Sequence, residues 1–148
     1  MLRSSSVVLI MLIIISQLLP GCGSSGISGK TDKDSNIISP KVSVYYLHQK
    51  KRCPTCKAIG IVSKNTVEKY FAKELQKGEV AFFDINLSDT ANAPLCKKFE
   101  CKWAGLYILS IKNGIETKED ITDVGFIYAV RKPDILEQII KSKIIINL

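Results

Sequence analysis

The strongest constraint on the fold is a hydrophobic period that changes and then changes back between Lys41 and Leu87. KVSVYYLH, Lys41 to His48, is rich in Val and Tyr and follows a proline, the pattern of a buried strand. From Thr55 to Gln76 the apolar residues Ile59, Val62, Val67, Tyr70, Phe71 and Leu75 recur at mostly helical spacing. Lys77-Gly78 closes that helix with a cation and then a glycine, and Gly60 inside it marks a candidate kink. Glu79 to Leu87, EVAFFDINL, reads as a second strand. Strand, crossover helix and strand in this order make a right-handed parallel unit, with any site at the carboxyl ends of its strands.

The rest of the chain adds an antiparallel pair. Asp89 to Phe99 reads as a short helix, capped by Ser88 or Asp89, with Pro94 either disturbing its middle or setting a later start. Gly105 to Lys112, GLYILSIK, is a third strand, and Asn113-Gly114 is a strong two-residue hairpin signal leading into Ile115 to Thr122. Val124 to Val130 has the pattern of a helical turn. Pro133 at a first helical position, with Asp134 beside it, opens a last helix through Ile139, Ile140 and Ile144. The expected fold is α/β: a four-stranded mixed sheet in the order β-α-β-α-β-β-α, with helices on both faces.

Residues 1–21 read as an export signal. Arg3 precedes an apolar run, Val7 to Ile15, that falls short of the ~20 residues of a membrane span. Leu19-Pro20-Gly21-Cys22 resembles a bacterial lipobox, which makes Cys22 the lipidated residue and a membrane anchor; an ordinary secretory signal is the alternative. Residues 22–40, rich in Gly, Ser, Lys and Asp, are expected to be a flexible tether, and residues 41–148 the folded domain. The expected location is an exported bacterial lipoprotein, facing the periplasm or the cell surface. Formal charge is +7, and loss of Arg3 with the signal leaves +6. The cations are dispersed and do not alternate with aromatics, so a solvated basic surface is the better reading than a nucleic-acid face.

The chemistry concentrates in YYLHQKKRCPTCK, Tyr45 to Lys57. Cys53 falls where the first strand gives way to the helix, and Pro54 suits the first helical position. The Cys56 N–H then points back to the Cys53 sulfur, as at an N-cap. The positive helix end, Arg52 and the neighbouring Lys50 and Lys51 all favour a thiolate on Cys53. Cys53 is therefore the expected nucleophile and Cys56 the resolving thiol in thiol–disulfide exchange. Stabilising the thiolate stabilises the reduced form, so the expected potential lies above the ~−270 mV of thioredoxin and below ~−120 mV.

CPTC at a strand-to-helix corner in this element order resembles the thioredoxin-like superfamily, over residues 41–148. More narrowly, VYYLHQKKRCPTC is similar to the family named nitrophenyl compound nitroreductase subunit ArsF, in which a Tyr-Tyr-aromatic-His run leads to Arg-Cys-x-Thr-Cys. Tyr45, Tyr46, His48, Arg52, Cys53, Thr55 and Cys56 match, while Leu47 replaces the aromatic. The superfamily resemblance implies thiol–disulfide exchange without a cofactor or a metal, on a protein thiol or disulfide partner. It also makes Arg52, Pro54, Thr55 and His48 tuning residues. Thioredoxins carry Trp before the first cysteine, Gly-Pro within the pair, a buried acid on the first strand and a cis-proline before the third strand. Here Arg52 and Pro54-Thr55 stand in the first two places, no acid occurs between Asp34 and Glu68, and Gly105, or else Ala104, takes the proline's place. Those departures point to a dedicated partner, with Trp103 and Gly105 facing it.

Other readings of the cysteines remain open. Cys53, Cys56, Cys96 and Cys101 would supply a four-thiolate zinc site, and two neighbouring thiolates also suit copper or arsenite. Cys96 and Cys101 read either as small buried residues or as a second disulfide. His48 is either a tuning group or a plain strand-end residue. Trp103 is either core or substrate-facing. Tyr45 and Tyr46 alternate across the strand, so at least one is core.

Overall fold

The computed structural model describes residues 39–148; the expected export signal, Cys22 and all but Ser39 and Pro40 of the expected tether lie outside them. The elements are β1 (Val42–His48), α1 (Pro54–Tyr70), α2 (Ala72–Gln76), β2 (Val80–Asn86), a 3₁₀ turn (Thr90–Asn92), α3 (Ala93–Phe99), β3 (Gly105–Lys112), β4 (Ile115–Asp120), α4 (Thr122–Tyr128) and α5 (Pro133–Asn147). The sheet order is β2-β1-β3-β4. β1 runs parallel to β2 and antiparallel to β3, and β3 is antiparallel to β4. This is the α/β fold with a four-stranded mixed sheet that the period changes predict.

The two faces of the sheet follow from strand alternation. Val42, Val44 and Tyr46 of β1 share a face with Leu106 and Ile108 of β3, against Ile59 and Val67 of α1 and Leu136, Ile140 and Ile144 of α5. The opposite face carries Leu47, Tyr107 and Leu109, with Tyr45 at its margin, against Phe99, Cys101 and Leu95. Helices therefore cover both faces, the longer ones on the first. Tyr46 is wholly buried, and Tyr45 is half-buried between the rings of Phe83 and Phe99.

Two local expectations are corrected. The segment from Thr55 to Gln76 is two helices, and it runs unbroken through Gly60. The break is at Phe71, whose backbone leaves the helical region (φ −126°, ψ 28°) while its ring enters the core. Gly60 serves packing instead: a Cβ there would lie 2.6 Å from Cε1 of Tyr46. Pro94 stands in the first turn of α3, so the short helix has the later start, and the Asp89 carboxylate caps the preceding 3₁₀ turn through Ala91 N–H. Asn113 and Gly114 both take positive φ (52° and 76°), the twist a tight antiparallel hairpin requires. β4, IETKED, is a charged, largely exposed edge strand, and charge of this kind discourages edge-to-edge pairing. Among the described residues, no helix is long and apolar enough to cross a membrane.

Candidate dithiol site

β1 delivers the chain to the site and α1 begins it. Cys53 is the N-cap of α1 (φ −66°, ψ 163°), and its Sγ accepts the Cys56 N–H at 3.1 Å. Pro54 occupies the first turn, where a missing N–H costs nothing. Cys53 is exposed and Cys56 half-buried. Hydrogen bonding from the Cys56 thiol, and then from its backbone N–H, pulls the Cys53 pKa below the ordinary thiol value. Burial, and then the hydrogen bond given to Cys53, push Cys56 up. The pair is thus polarised, with the thiolate favoured at the exposed Cys53 and the thiol at the half-buried Cys56.

Arg52 lines the same cleft, but its guanidinium leans toward Asp84, with Nη1 3.9 Å from Oδ2. The groups that lower Cys53 most come from the start of α1, through the Cys56 thiol and its backbone N–H.

Asp84 is the residue that sequence reasoning passed over. It lies on β2 beside Tyr46 in the parallel register. Its Oδ1 stands 2.6 Å from Nε2 of the buried His48, whose Nδ1 is 2.9 Å from the Gln49 carbonyl oxygen. Between them the carboxylate and the carbonyl oxygen fix the orientation of the ring. The available signal was a lone acid inside the otherwise apolar run VAFFDIN.

Tyr46 ties this corner to the core. Its hydroxyl donates to the Cys56 carbonyl at 2.5 Å, and burial raises its pKa to about 12. The phenol is therefore a fixed donor across the working pH range, and it holds the first turn of α1 down on the sheet.

A cavity of about 430 Å³ opens over the pair. Besides the two cysteines it is lined by His48, Gln49, Lys51, Arg52, Trp103, Ala104 and Phe126. Trp103 is 77% exposed, so the core reading of this ring is excluded. Gly105, expected at the cleft, is corrected: it is buried in β3 opposite Leu47, and a Cβ there would lie 2.3 Å from the Tyr107 ring. Ala104, the other candidate for that place, lines the cavity instead. The structure therefore brings His48, Arg52, Cys53, Cys56 and Trp103 together and leaves Gly105 beneath them. Cys96 and Cys101 do not join Cys53 and Cys56 in a four-thiolate cluster: among the described residues, no three of His, Cys, Asp and Glu converge on a metal-sized site.

No protein-family model matches the chain, and no curated protein matches it. Among solved structures, one titled "Structure of a malarial protein" is similar over 62% of this chain and 96% of its own, at 22% identity and a TM-score of 0.37, a likeness that bears on neither fold family nor function.

Proposed function

We propose that this protein is a thiol–disulfide oxidoreductase of the thioredoxin-like type, resembling the ArsF group, acting on a dedicated protein partner outside the cytoplasm. The observation that carries this reading is the polarity of one pair: an exposed Cys53 capped by the Cys56 N–H at 3.1 Å, beside a half-buried Cys56 shifted the other way. In the reductive direction the Cys53 thiolate attacks one sulfur of a substrate disulfide, and the other sulfur leaves as a thiolate that takes a proton. Cys56 then loses its proton and attacks the Cys53 sulfur, releasing the second substrate thiol and leaving the Cys53–Cys56 disulfide. The oxidative direction is the reverse. Trp103 and Phe126 offer apolar rings to an incoming polypeptide, and Lys51 and Arg52 offer it positive charge. Pro54, Thr55, Arg52 and His48 shape the site, and Cys22 attaches the domain to a membrane.

Alkylation of the reduced full chain across pH, read by mass spectrometry, tests this. A lowered pKa keeps the Cys53 thiolate present below the ordinary thiol range and loses it only as pH falls through the lowered value. A raised pKa keeps Cys56 a thiol as pH climbs past its ordinary value. Cys53 should therefore label first at mildly acidic pH, and the Cys53–Cys56 couple should titrate in glutathione buffers between ~−270 and ~−120 mV. Equal labelling of the two, or no reversible couple, refutes the reading. For the anchor, Cys22→Ser should leave the membrane fraction or stay unprocessed; a variant that fractionates and matures like the parent refutes it.

A further inference from the structure

Two cysteines stand outside that site, at the other end of a helix. Cys96 lies in the last turns of α3 and Cys101 just past its end. Between them Glu100 takes φ 55°, the left-handed region. Glu100 N–H reaches the Lys97 carbonyl at 3.2 Å, and Cys101 N–H reaches the Cys96 carbonyl at 3.1 Å. These two bonds define a Schellman turn, with Glu100 at its left-handed position. The residues closing such a turn, here Cys96 and Cys101, are the ones whose side chains characteristically meet across it. Cys96 Sγ donates to the Cys101 carbonyl at 2.6 Å.

The two thiols differ in access as the first pair does. Cys96 is half-buried and Cys101 buried. Both line an open cavity of about 590 Å³ between α3 and the end of β2, flanked by Leu87, Ala93, Lys97 and Lys102. Burial raises the Cys101 pKa, and the neighbouring Tyr107 hydroxyl and Trp103 backbone act in the opposite direction.

We infer that Cys96 and Cys101 are a second dithiol–disulfide couple, in which Cys96 accepts a sulfur from a low-molecular-weight disulfide and Cys101 resolves it. The Cys96 thiolate attacks R–S–S–R, forming Cys96–S–S–R and expelling RS⁻, which takes the proton lost by Cys96. Cys101 then gives up its proton and attacks the Cys96 sulfur. The Cys96–Cys101 bond forms and the second RS⁻ leaves as RSH. The protein pair is oxidised by two electrons and the small disulfide is reduced to two thiols. Cys101 lies two residues before Trp103, and the Lys102 carbonyl accepts from the Gln49 side chain at 3.3 Å. Closing the second pair therefore acts on the strip of chain that walls the first cleft.

The test uses the full chain carrying Cys22→Ser, Cys53→Ser and Cys56→Ser, in which Cys96 and Cys101 are the remaining thiols. It is independent of any activity at Cys53. The reduced protein is exposed to oxidised glutathione and digested with trypsin. Lys97 and Lys98 lie between the cysteines, so the two halves separate unless a disulfide joins them. The expected result is one cross-linked peptide pair with both thiols lost together, accompanied by a change in emission of Trp103, the chain's single tryptophan. Adding Cys101→Ser should stop the reaction at a glutathione adduct on Cys96. Two free thiols, a stable adduct while Cys101 is present, or a covalent dimer overturns the inference. If the triple variant does not fold, the same digest of the oxidised native sequence decides: a Cys96–Cys101 cross-link supports the couple, and its absence overturns it.

Discussion

Cys53 and Cys56 open a helix, whereas Cys96 and Cys101 close one. At the start of α1, backbone N–H groups lack helical partners and turn toward sulfur, so Cys53 Sγ is an acceptor. At the end of α3 it is carbonyls that lack partners, and Cys96 Sγ is a donor to one of them. An acceptor sulfur gains by becoming a thiolate, and a donor sulfur must surrender its hydrogen bond to become one. The same side chain, a few residues from its twin in both cases, is thus prepared for attack in one place and must first give up a hydrogen bond in the other. Spacing alone does not carry this distinction; the end of the helix does.

The largest effect should come from removing the accepting sulfur. Cys53→Ser is expected to lower exchange with a protein disulfide by about a hundredfold or more, because a hydroxyl supplies no comparable nucleophile at neutral pH. Reduction of a disulfide-bonded substrate peptide measures it, and a residual rate within tenfold of the parent would mean that the second pair performs the same chemistry.

A next test breaks the support beneath the first pair only. Gly60→Val places side-chain atoms where the Tyr46 ring already lies, at a cost of about 1–3 kcal/mol of unfolding free energy. Urea denaturation measures the loss. Faster alkylation of Cys56, with no change at Cys101, is the expected companion, since the displaced ring is the one that holds the Cys56 carbonyl.

The complementary change acts on the second pair. Glu100→Gly removes a side chain from a left-handed residue and should stabilise the fold by about 1 kcal/mol. Thermal unfolding reads the gain, and an unchanged or lower midpoint would show that the turn is held by something other than its backbone.

Arg52→Ala should have the smallest effect. With its guanidinium directed at Asp84, an exposed carboxylate, the expected change in the Cys53 alkylation rate is less than about twofold. A tenfold slowing would return to Arg52 the part that the sequence assigns it.

The architecture was legible because strand and helix periods differ and because Asn113-Gly114 admits few alternatives. Cys53 at a helix N-cap was legible for the same reason: Pro54 marks the first turn. What escaped was long-range. Nothing near Gly60 in the chain announces the Tyr46 ring, and Asp84 meets His48 only through the parallel pairing of β1 with β2. Gly105 and Ala104 differ by one step along a strand entrance, and one step decides which of them faces solvent. The Schellman turn was hidden because its left-handed position holds Glu100 where glycine is the usual sign.

The contact between Tyr46 and Gly60 also sets how this protein can vary. Position 60 admits a larger residue only if position 46 gives up its ring. A smaller residue at 46 would in turn release the carbonyl of Cys56. Neither change is acceptable as a first step, so the two positions are linked and the route between alternatives passes through a damaged form. Trp103, on the cleft, and its neighbour Lys102 stand in solvent instead. Descendants of this chain that acquire new partners should therefore differ at 102 and 103 and keep tyrosine and glycine together at 46 and 60.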